Sequence, residues 1–174
     1  MPTELEDFRV EKDAFFKSHA QSPLTPAQQR VFKGLSYFDE NPALRFEIEV
    51  EPFAQRDTVE LQTSDGDVRA YQRFGRVTFE VDGQAAALTL YATPHGFFLP
   101  FVDSLAGEDT YPAGRYLDPE PLGGNRFLID FNLAYNPYCA YNENYSCPLT
   151  PFENRLKLPI RAGERLFGDA DHAA

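Results

Sequence analysis

Two cysteines, Cys139 and Cys147, lie in the stretch of the chain with the densest concentration of reactive side chains. The stretch runs from position 130 to 156 and reads DFNLAYNPYCAYNENYSCPLTPFENRL, with six aromatic residues, five asparagines and three prolines. A cysteine becomes a nucleophile when a nearby cation or helix terminus stabilises its thiolate, and Arg155 is the candidate cation here. Three roles stay open for the cysteines: a packed or mutually facing pair that pins the loop, a reactive thiol at Cys139, or metal ligands.

Metal binding has a weak signal in this sequence. The two cysteines are eight positions apart, unlike the close pair of a CxxC knuckle, and a structural zinc site takes four ligands. Of the three histidines, His95 is the one placed to join Cys139 and Cys147, since His19 lies on a helical stripe and His172 near the end of the chain. Zinc binding is therefore an alternative hypothesis, and no residue is assigned as a metal ligand.

Proton transfer could be carried out by His95 or Asp130. His95 stands in ATPHGFF, a predicted turn at the rim of a sheet, where a histidine is an acid, a base or simply an exposed residue. Asp130 ends the strand-like RFLID and shares a face with Arg126 by alternation. It is either a carboxylate in the mouth of a barrel or an acceptor for backbone N–H groups that follow, including that of Asn132. The candidate catalytic residues are His95, Asp130 and Cys139.

Ligand contacts are predicted in two further places. Tyr111, Arg115 and Tyr116 in DTYPAGRYLD combine residue types typical of ligand sites, and equally of a cation–π contact between loop and sheet. Glu153 and Arg155 either pair with each other to hold the loop or contact a ligand, Arg155 being suited to a carboxylate or phosphate. The full set of predicted ligand-binding residues is Tyr111, Arg115, Tyr116, Tyr135, Asn136, Glu153 and Arg155.

A single domain over residues 1–174 must position these side chains. Residues 1–40 are predicted to be helical, because apolar residues from Leu5 to Phe16 recur at spacings of three and four. Thr25, with Pro26 and Gln28 after it, predicts the capped start of a second helix. Residues 132–166 form a loop-rich C-terminal segment and 167–174 a frayed tail.

Residues 44–131 show the two-residue period of β-strands. LRFEIEVE alternates strictly, SDGD and DGQ predict tight turns, and RFLIDF is the last clear strand. GFFLPF is almost wholly apolar, as expected for a strand buried on both faces. Six to eight such strands indicate a mainly β fold (β+α), an antiparallel β-barrel or sandwich, with the long C-terminal loop lying across one mouth or face.

Charge and hydropathy exclude several classes of partner. The net charge is −11, from 27 acidic and 16 basic residues, so nucleic acids and anionic membranes are disfavoured. The start of the chain is acidic where a secretory signal would be basic, and no apolar run reaches the ~20 residues of a membrane span. We therefore expect a soluble, cytoplasmic protein.

Four stretches resemble the domain-of-unknown-function family 1684. NPYCAYNENYSCPLTPFENRL followed by AGER resembles its C-terminal signature, and GLSYFDENPALRF, LPFVDSLAGEDTYPAGRYLD and RFLIDFNLAYNP resemble parts upstream. The resemblance covers the chain from Phe15 to Arg165. At the level of the fold the chain is also similar to flavin-binding split barrels, which implies a split-barrel-like architecture and FMN as a candidate ligand.

These observations lead to one functional hypothesis and two alternatives. The first is a small-molecule-binding barrel, with or without catalysis, whose site for a flavin- or nucleotide-type ligand lies under the C-terminal loop. The second is a non-catalytic interaction module, dimeric through its sheet, with a flat aromatic patch instead of a pocket beside Cys139. The third is the zinc protein described above.

Overall fold

The computed structural model describes residues 1–167, and its first two elements are helices. These are α1 (Glu4–Ser18) and α2 (Pro26–Val31). The Thr25 hydroxyl accepts the backbone N–H of Gln28, and the Gln28 side chain accepts the N–H of Thr25, so the predicted capping box is present. No helix in residues 1–167 is long and apolar enough to cross a membrane.

Nine strands are described in residues 1–167, and every strand pair is antiparallel. They are β1 (Arg45–Glu49), β2 (Glu51–Pro52), β3 (Thr58–Gln62), β4 (Val68–Val81), β5 (Gln84–Thr93), β6 (Gly96–Phe101), β7 (Arg115–Leu117), β8 (Glu120–Gly123) and β9 (Arg126–Asp130). The predicted DGQ turn joins β4 to β5, with Asp82 and Gly83 at positive φ angles of 49° and 81°.

The strands form two sheets. The smaller has the order β1-β9-β8, and the larger has the order β2-β4-β5-β6-β7 with β3 also paired to β4. The prediction of a mainly β fold is confirmed. Within residues 1–167 the strands are not hydrogen-bonded into one closed barrel, so the architecture is an open pair of sheets.

The main hydrophobic core fills the space between the two sheets. Alternating residues of β1 and β9 face alternating residues of the central strands of the larger sheet, because successive side chains of a strand point to opposite faces. Phe46 packs on Phe79 with ring centroids 5.4 Å apart, and Phe97 packs on Phe127 at 4.7 Å. The buried centre of this core includes Val77, Leu88, Leu90, Leu99, Phe101, Phe127, Ile129 and Phe131.

The larger sheet also buries its other face. Tyr91 directly follows the core residue Leu90, so it points away from the main core, and it joins a second cluster. That cluster consists of Leu61, Tyr71, Tyr91, Phe98 and Tyr116, with Val59 and Tyr135 packed against it. Residues 135–148 of the C-terminal segment lie against this second face, whereas Leu158, Ile160 and Ala162 pack into the main core.

The C-terminal segment, residues 132–166, is bonded to the larger sheet along its length. The N–H of Leu149 donates to the carbonyl of Gln62 at 2.7 Å, and that of Leu156 to Val102 at 2.7 Å. The segment contains short 3-10 helices at Tyr138–Ala140 and Phe152–Asn154. Phe167, assigned to the tail, packs on Tyr141 at 4.9 Å, and the rest of the predicted tail lies outside the described residues.

Candidate functional site

A pocket of about 550 Å³ lies between the second face of the larger sheet and the C-terminal segment. One wall comes from β4, β6 and β7, another from residues 135–148, and α1 contributes one residue at the edge. The lining residues are Lys12, Arg69, Tyr71, Phe98, Tyr116, Tyr135, Pro137, Tyr138, Tyr145, Ser146, Cys147 and Pro148. The C-terminal segment therefore forms one wall of an open cleft on this face of the sheet.

Aromatic rings dominate the walls of this pocket. Tyr116 contacts Phe98 and Tyr135 edge to face, with centroids 4.7 and 5.8 Å away, and Tyr138 contacts Tyr145 at 5.2 Å. Such edge-to-face pairs add to the stability gained from burial and hold the rings in place. The pocket thus offers flat, apolar surfaces in fixed positions.

Two of the tyrosine hydroxyls in the pocket are already bonded to the protein. The hydroxyl of Tyr116 donates to the carbonyl of Pro148, and that of Tyr135 donates to Asp118 at 2.8 Å. Burial raises the pKa of both tyrosines above the ordinary value. Both tyrosines therefore line the site as uncharged side chains and do not act as proton acceptors.

Lys12 and Arg69 bring positive charge to the pocket, but only one is neutralised. Lys12 pairs with the carboxylate of Glu164, a buried group that also accepts from Tyr141 and from the N–H of Asn136. Arg69 donates to the carbonyl of Ser146 at 2.8 Å and has no carboxylate within salt-bridge distance among residues 1–167. Arg69 is thus the cation available to an anionic ligand.

The two cysteines are neighbours and free thiols, and Cys147 also lines the pocket. The N–H of Cys139 donates to the sulfur of Cys147 at 3.3 Å, and the hydroxyl of Tyr111 lies 3.8 Å from the Cys139 sulfur. A hydrogen bond from Cys147, aided by Tyr111 and Ser64, lowers the pKa of Cys139 to about 6. The groups that stabilise this thiolate are therefore hydrogen-bond donors, in place of the predicted Arg155.

The pKa of Cys147 is shifted in the opposite direction from that of Cys139. Its hydrogen bond to Cys139, followed by burial, raises the pKa of Cys147 above the ordinary value. Its backbone is fixed to the β3–β4 turn, because its N–H donates to the Ser64 hydroxyl at 3.1 Å and its carbonyl accepts the Ser64 N–H at 2.9 Å. The hydrogen bond between the two thiols thus favours ionisation of Cys139 over ionisation of Cys147.

His95 lies in the exposed turn between β5 and β6, where its N–H donates to the Thr93 hydroxyl at 3.1 Å. Residues 1–167 contain no group of three histidine, cysteine, aspartate or glutamate side chains able to hold a metal ion. The zinc hypothesis, which needed His95 beside the two cysteines, has no support in this part of the chain.

Asp130 has the structural one of its two predicted roles, that of an acceptor for backbone N–H groups. Its carboxylate accepts the backbone N–H of Asn132 at 3.0 Å and the Asn132 side chain at 2.9 Å, and so caps the 3-10 helix Phe131–Leu133. Asn136 is also buried and has a structural role, because its side chain donates to the carbonyl of Arg165 at 3.0 Å. Neither residue is among those that line the aromatic pocket.

Arg115 lies in the protein interior with 1% of its surface exposed. Its guanidinium donates to the carbonyls of Ile160, Ala162 and Glu164 and lies 3.4 Å from Asp103. Burial lowers its pKa to about 10. All of these partners belong to the protein, so Arg115 fixes the C-terminal segment to β7 and lies away from the pocket.

The predicted pairing of Glu153 with Arg155 is wrong. Glu153 instead forms a bidentate salt bridge with Arg73 of β4, whose Nε and Nη2 donate to the two carboxylate oxygens at 3.2 and 2.6 Å. It also accepts a hydrogen bond from the hydroxyl of Tyr91. Burial opposes ionisation of Glu153, but the bonds from Arg73 and Tyr91 outweigh it and lower its pKa. Arg155 is exposed, and its backbone forms a bridge with Val102.

The predicted site residues divide into three groups. Tyr116 and Tyr135 line the pocket, Tyr111 and Cys139 form the thiol cluster beside it, and the other predicted residues lie elsewhere. Sequence reasoning missed the lining residues Lys12, Arg69, Tyr71, Phe98, Tyr138 and Tyr145. A signal for the sheet residues was present, since Tyr71, Phe98 and Tyr116 all fall on the strand face opposite the main core.

Fold and site together define a two-sheet β protein whose C-terminal segment forms one wall of an aromatic pocket. The chain belongs to the family of proteins of unknown function DUF1684, whose model matches residues 30–165. It is similar to an uncharacterised protein of Haloarcula marismortui solved by solution NMR, with 39% sequence identity, a TM-score of 0.71, and coverage of 93% of this chain and 92% of that one. Among curated proteins, none matches this chain.

Proposed function

We propose that the protein binds a small planar ligand carrying an anionic group in the aromatic pocket under its C-terminal segment. The observation that carries this proposal is the combination of flat aromatic walls with Arg69, whose charge is not paired with a carboxylate in residues 1–167. A pocket of about 550 Å³ has the size of typical small-molecule sites. The concave shape beside the cysteines favours binding over the flat patch that an interaction module would need.

The two walls would hold the ligand in different ways. Rings from β4, β6 and β7 supply one surface for stacking, and Tyr138 and Tyr145 supply the opposite one. Arg69, at the start of β4, would bind the anionic group, since a guanidinium matches the geometry of carboxylate and phosphate. Lys12 contributes less net charge, because Glu164 already compensates it.

FMN is the first ligand to test, because its flat ring system and phosphate fit this donor set. A nucleoside monophosphate and an aromatic carboxylate share the same chemistry, so each is a separate arm of the experiment. If the ligand is a flavin, its ring would lie among the pocket tyrosines, next to the Cys139 and Cys147 thiols. We propose a cytoplasmic location, where a reducing environment keeps such thiols free.

Calorimetric titration with FMN, AMP and 4-hydroxybenzoate tests the proposal. We expect one of these probes to bind, and Arg69→Gln to weaken it by about ten-fold or more through loss of a charge-assisted hydrogen bond. The matched control is Arg76→Gln, an exposed arginine on the same strand that does not line the pocket. Failure of all three probes to bind, or equal weakening by both variants, would overturn the proposal.

A further inference from the structure

Cys139 and Cys147 form a thiol pair that the proposed ligand site does not require. Cys139 belongs to the 3-10 helix Tyr138–Ala140 and is half-buried, whereas Cys147 is 7% exposed. The backbone N–H of Cys139 lies 3.3 Å from the Cys147 sulfur, so the two residues come together at the ends of the loop that they bound. The Tyr111 hydroxyl, 3.8 Å from the Cys139 sulfur, approaches it from outside this loop.

We propose that this pair is a peroxide-reactive redox site in which Cys139 is the nucleophile and Cys147 is the resolving thiol. Three features assign the roles. Cys139 is the more exposed residue of the two, the Tyr111 hydroxyl lies beside its sulfur, and it belongs to the short 3-10 helix Tyr138–Ala140. Cys147 is buried and anchored to the β3–β4 turn through both backbone bonds to Ser64.

The reaction balances in two steps. The Cys139 thiolate attacks one oxygen of a hydroperoxide, the O–O bond breaks, and the other oxygen leaves as water or alcohol after taking a proton. Cys139 is then a sulfenic acid. The Cys147 sulfur attacks the Cys139 sulfur, the S–O bond breaks, and the hydroxide leaves as water with the proton of the Cys147 thiol. Two electrons pass from the two thiols to the peroxide, and a disulfide remains.

The surrounding structure favours both steps. Hydrogen bonds from Cys147, Tyr111 and Ser64 stabilise the thiolate of Cys139, which is the form that reacts. The Cys147 sulfur lies 3.3 Å from the backbone nitrogen of Cys139, so the disulfide would join two residues that are already neighbours in the fold. Transient disulfides of this kind are the ones found in reducing compartments.

Oxidation of the wild-type protein and of two serine variants with equimolar hydrogen peroxide tests the assignment. Peptide mapping of the wild type should show a disulfide between Cys139 and Cys147 that dithiothreitol reverses. Cys147→Ser should accumulate a sulfenic acid at Cys139, trapped by dimedone, and Cys139→Ser should give no trapped product. Circular dichroism verifies that each variant folds. A wild type that keeps both thiols, or trapping at Cys147 in preference to Cys139, would overturn the proposal.

The pH dependence supplies a readout that a purely structural pair would not show. With a pKa of about 6, about half of Cys139 would be thiolate at pH 6, against about 0.3% of free cysteine. After allowing for the weaker nucleophilicity of a low-pKa thiolate, the Cys139 advantage over free cysteine is about ten-fold. Tyr111→Phe removes one stabilising bond, so the midpoint of the rate profile should move to higher pH. A midpoint near that of free cysteine in the wild type would refute the assignment.

Discussion

Replacement of Asn154 by alanine should destabilise the protein strongly, because this side chain joins the C-terminal segment to the sheet. Strands β5 and β6 pair only between Tyr91–Thr93 and Gly96–Phe98, and β6 then turns toward β7. The side chain of Asn154 lies between β5 and β6 beyond the point where their pairing ends. Its amide oxygen accepts the N–H of Thr89 at 2.8 Å, and its nitrogen donates to the carbonyls of Thr89 and Pro100 at 2.9 and 2.7 Å.

The size of the effect follows from the burial of these partners. Asn154 is fully buried, so alanine would leave one N–H and two carbonyls unbonded in the protein interior. A buried backbone group without a partner costs about 1–3 kcal/mol, and carbonyls tolerate the loss better than an N–H. We therefore expect the free energy of unfolding to fall by about 3–5 kcal/mol, a large part of the stability of a domain.

Urea unfolding followed by circular dichroism measures this change. Asn144→Ala is the matched control, since Asn144 lies exposed in the same C-terminal segment, and we expect it to change stability by less than about 0.5 kcal/mol. If the two variants unfold at the same urea concentration with the same slope, Asn154 does not anchor the segment, and the account of how the segment is held is incorrect.

Two further substitutions test other anchors of the C-terminal segment. Arg115→Met should cost about 3–5 kcal/mol in urea, because it leaves the buried Asp103 without its cation, while Arg126→Met on the surface should cost less than about 1 kcal/mol. Equal losses would contradict the buried role. Gly163→Ala should lower the melting temperature well below that of Gly66→Ala, although both glycines have positive φ. At position 163 the added carbon would lie 2.7 Å from the carbonyl oxygen of Phe131, and at position 66 it meets nothing; similar melting temperatures would show that the contact is relieved.

Local signals in the sequence were enough to predict most elements of the fold. The capping box at Thr25 forms as predicted because it needs only bonds between neighbours in the chain. The alternation of LRFEIEVE correctly places Phe46 and Ile48 toward the core. The apolar strand GFFLPF is buried on both faces, with Phe98 toward the pocket and Leu99 toward the core between the sheets.

The candidate site was harder to predict because its partners are distant in sequence. The sequence suggests Arg155 as a partner for Glu153 because the two are close in the chain, yet the observed partner Arg73 lies 80 positions away. Arg115 has the composition of a ligand contact, and only the folded chain shows that carbonyls and Asp103 occupy its guanidinium. No sequence motif marks Arg69 as a site residue. Its place in the pocket depends on where the C-terminal segment meets β4, which only the folded chain shows.

The central claim is that the C-terminal segment and the second face of the larger sheet form the two walls of a ligand site. The most direct measurement is an amide chemical-shift map of the ¹⁵N-labelled protein during titration with FMN, AMP and 4-hydroxybenzoate. We expect the bound probe to shift amides in residues 135–148 together with those of Arg69, Tyr71 and Phe98. Shifts confined to the smaller sheet, or no shifts with any of the probes, would contradict the proposed ligand site.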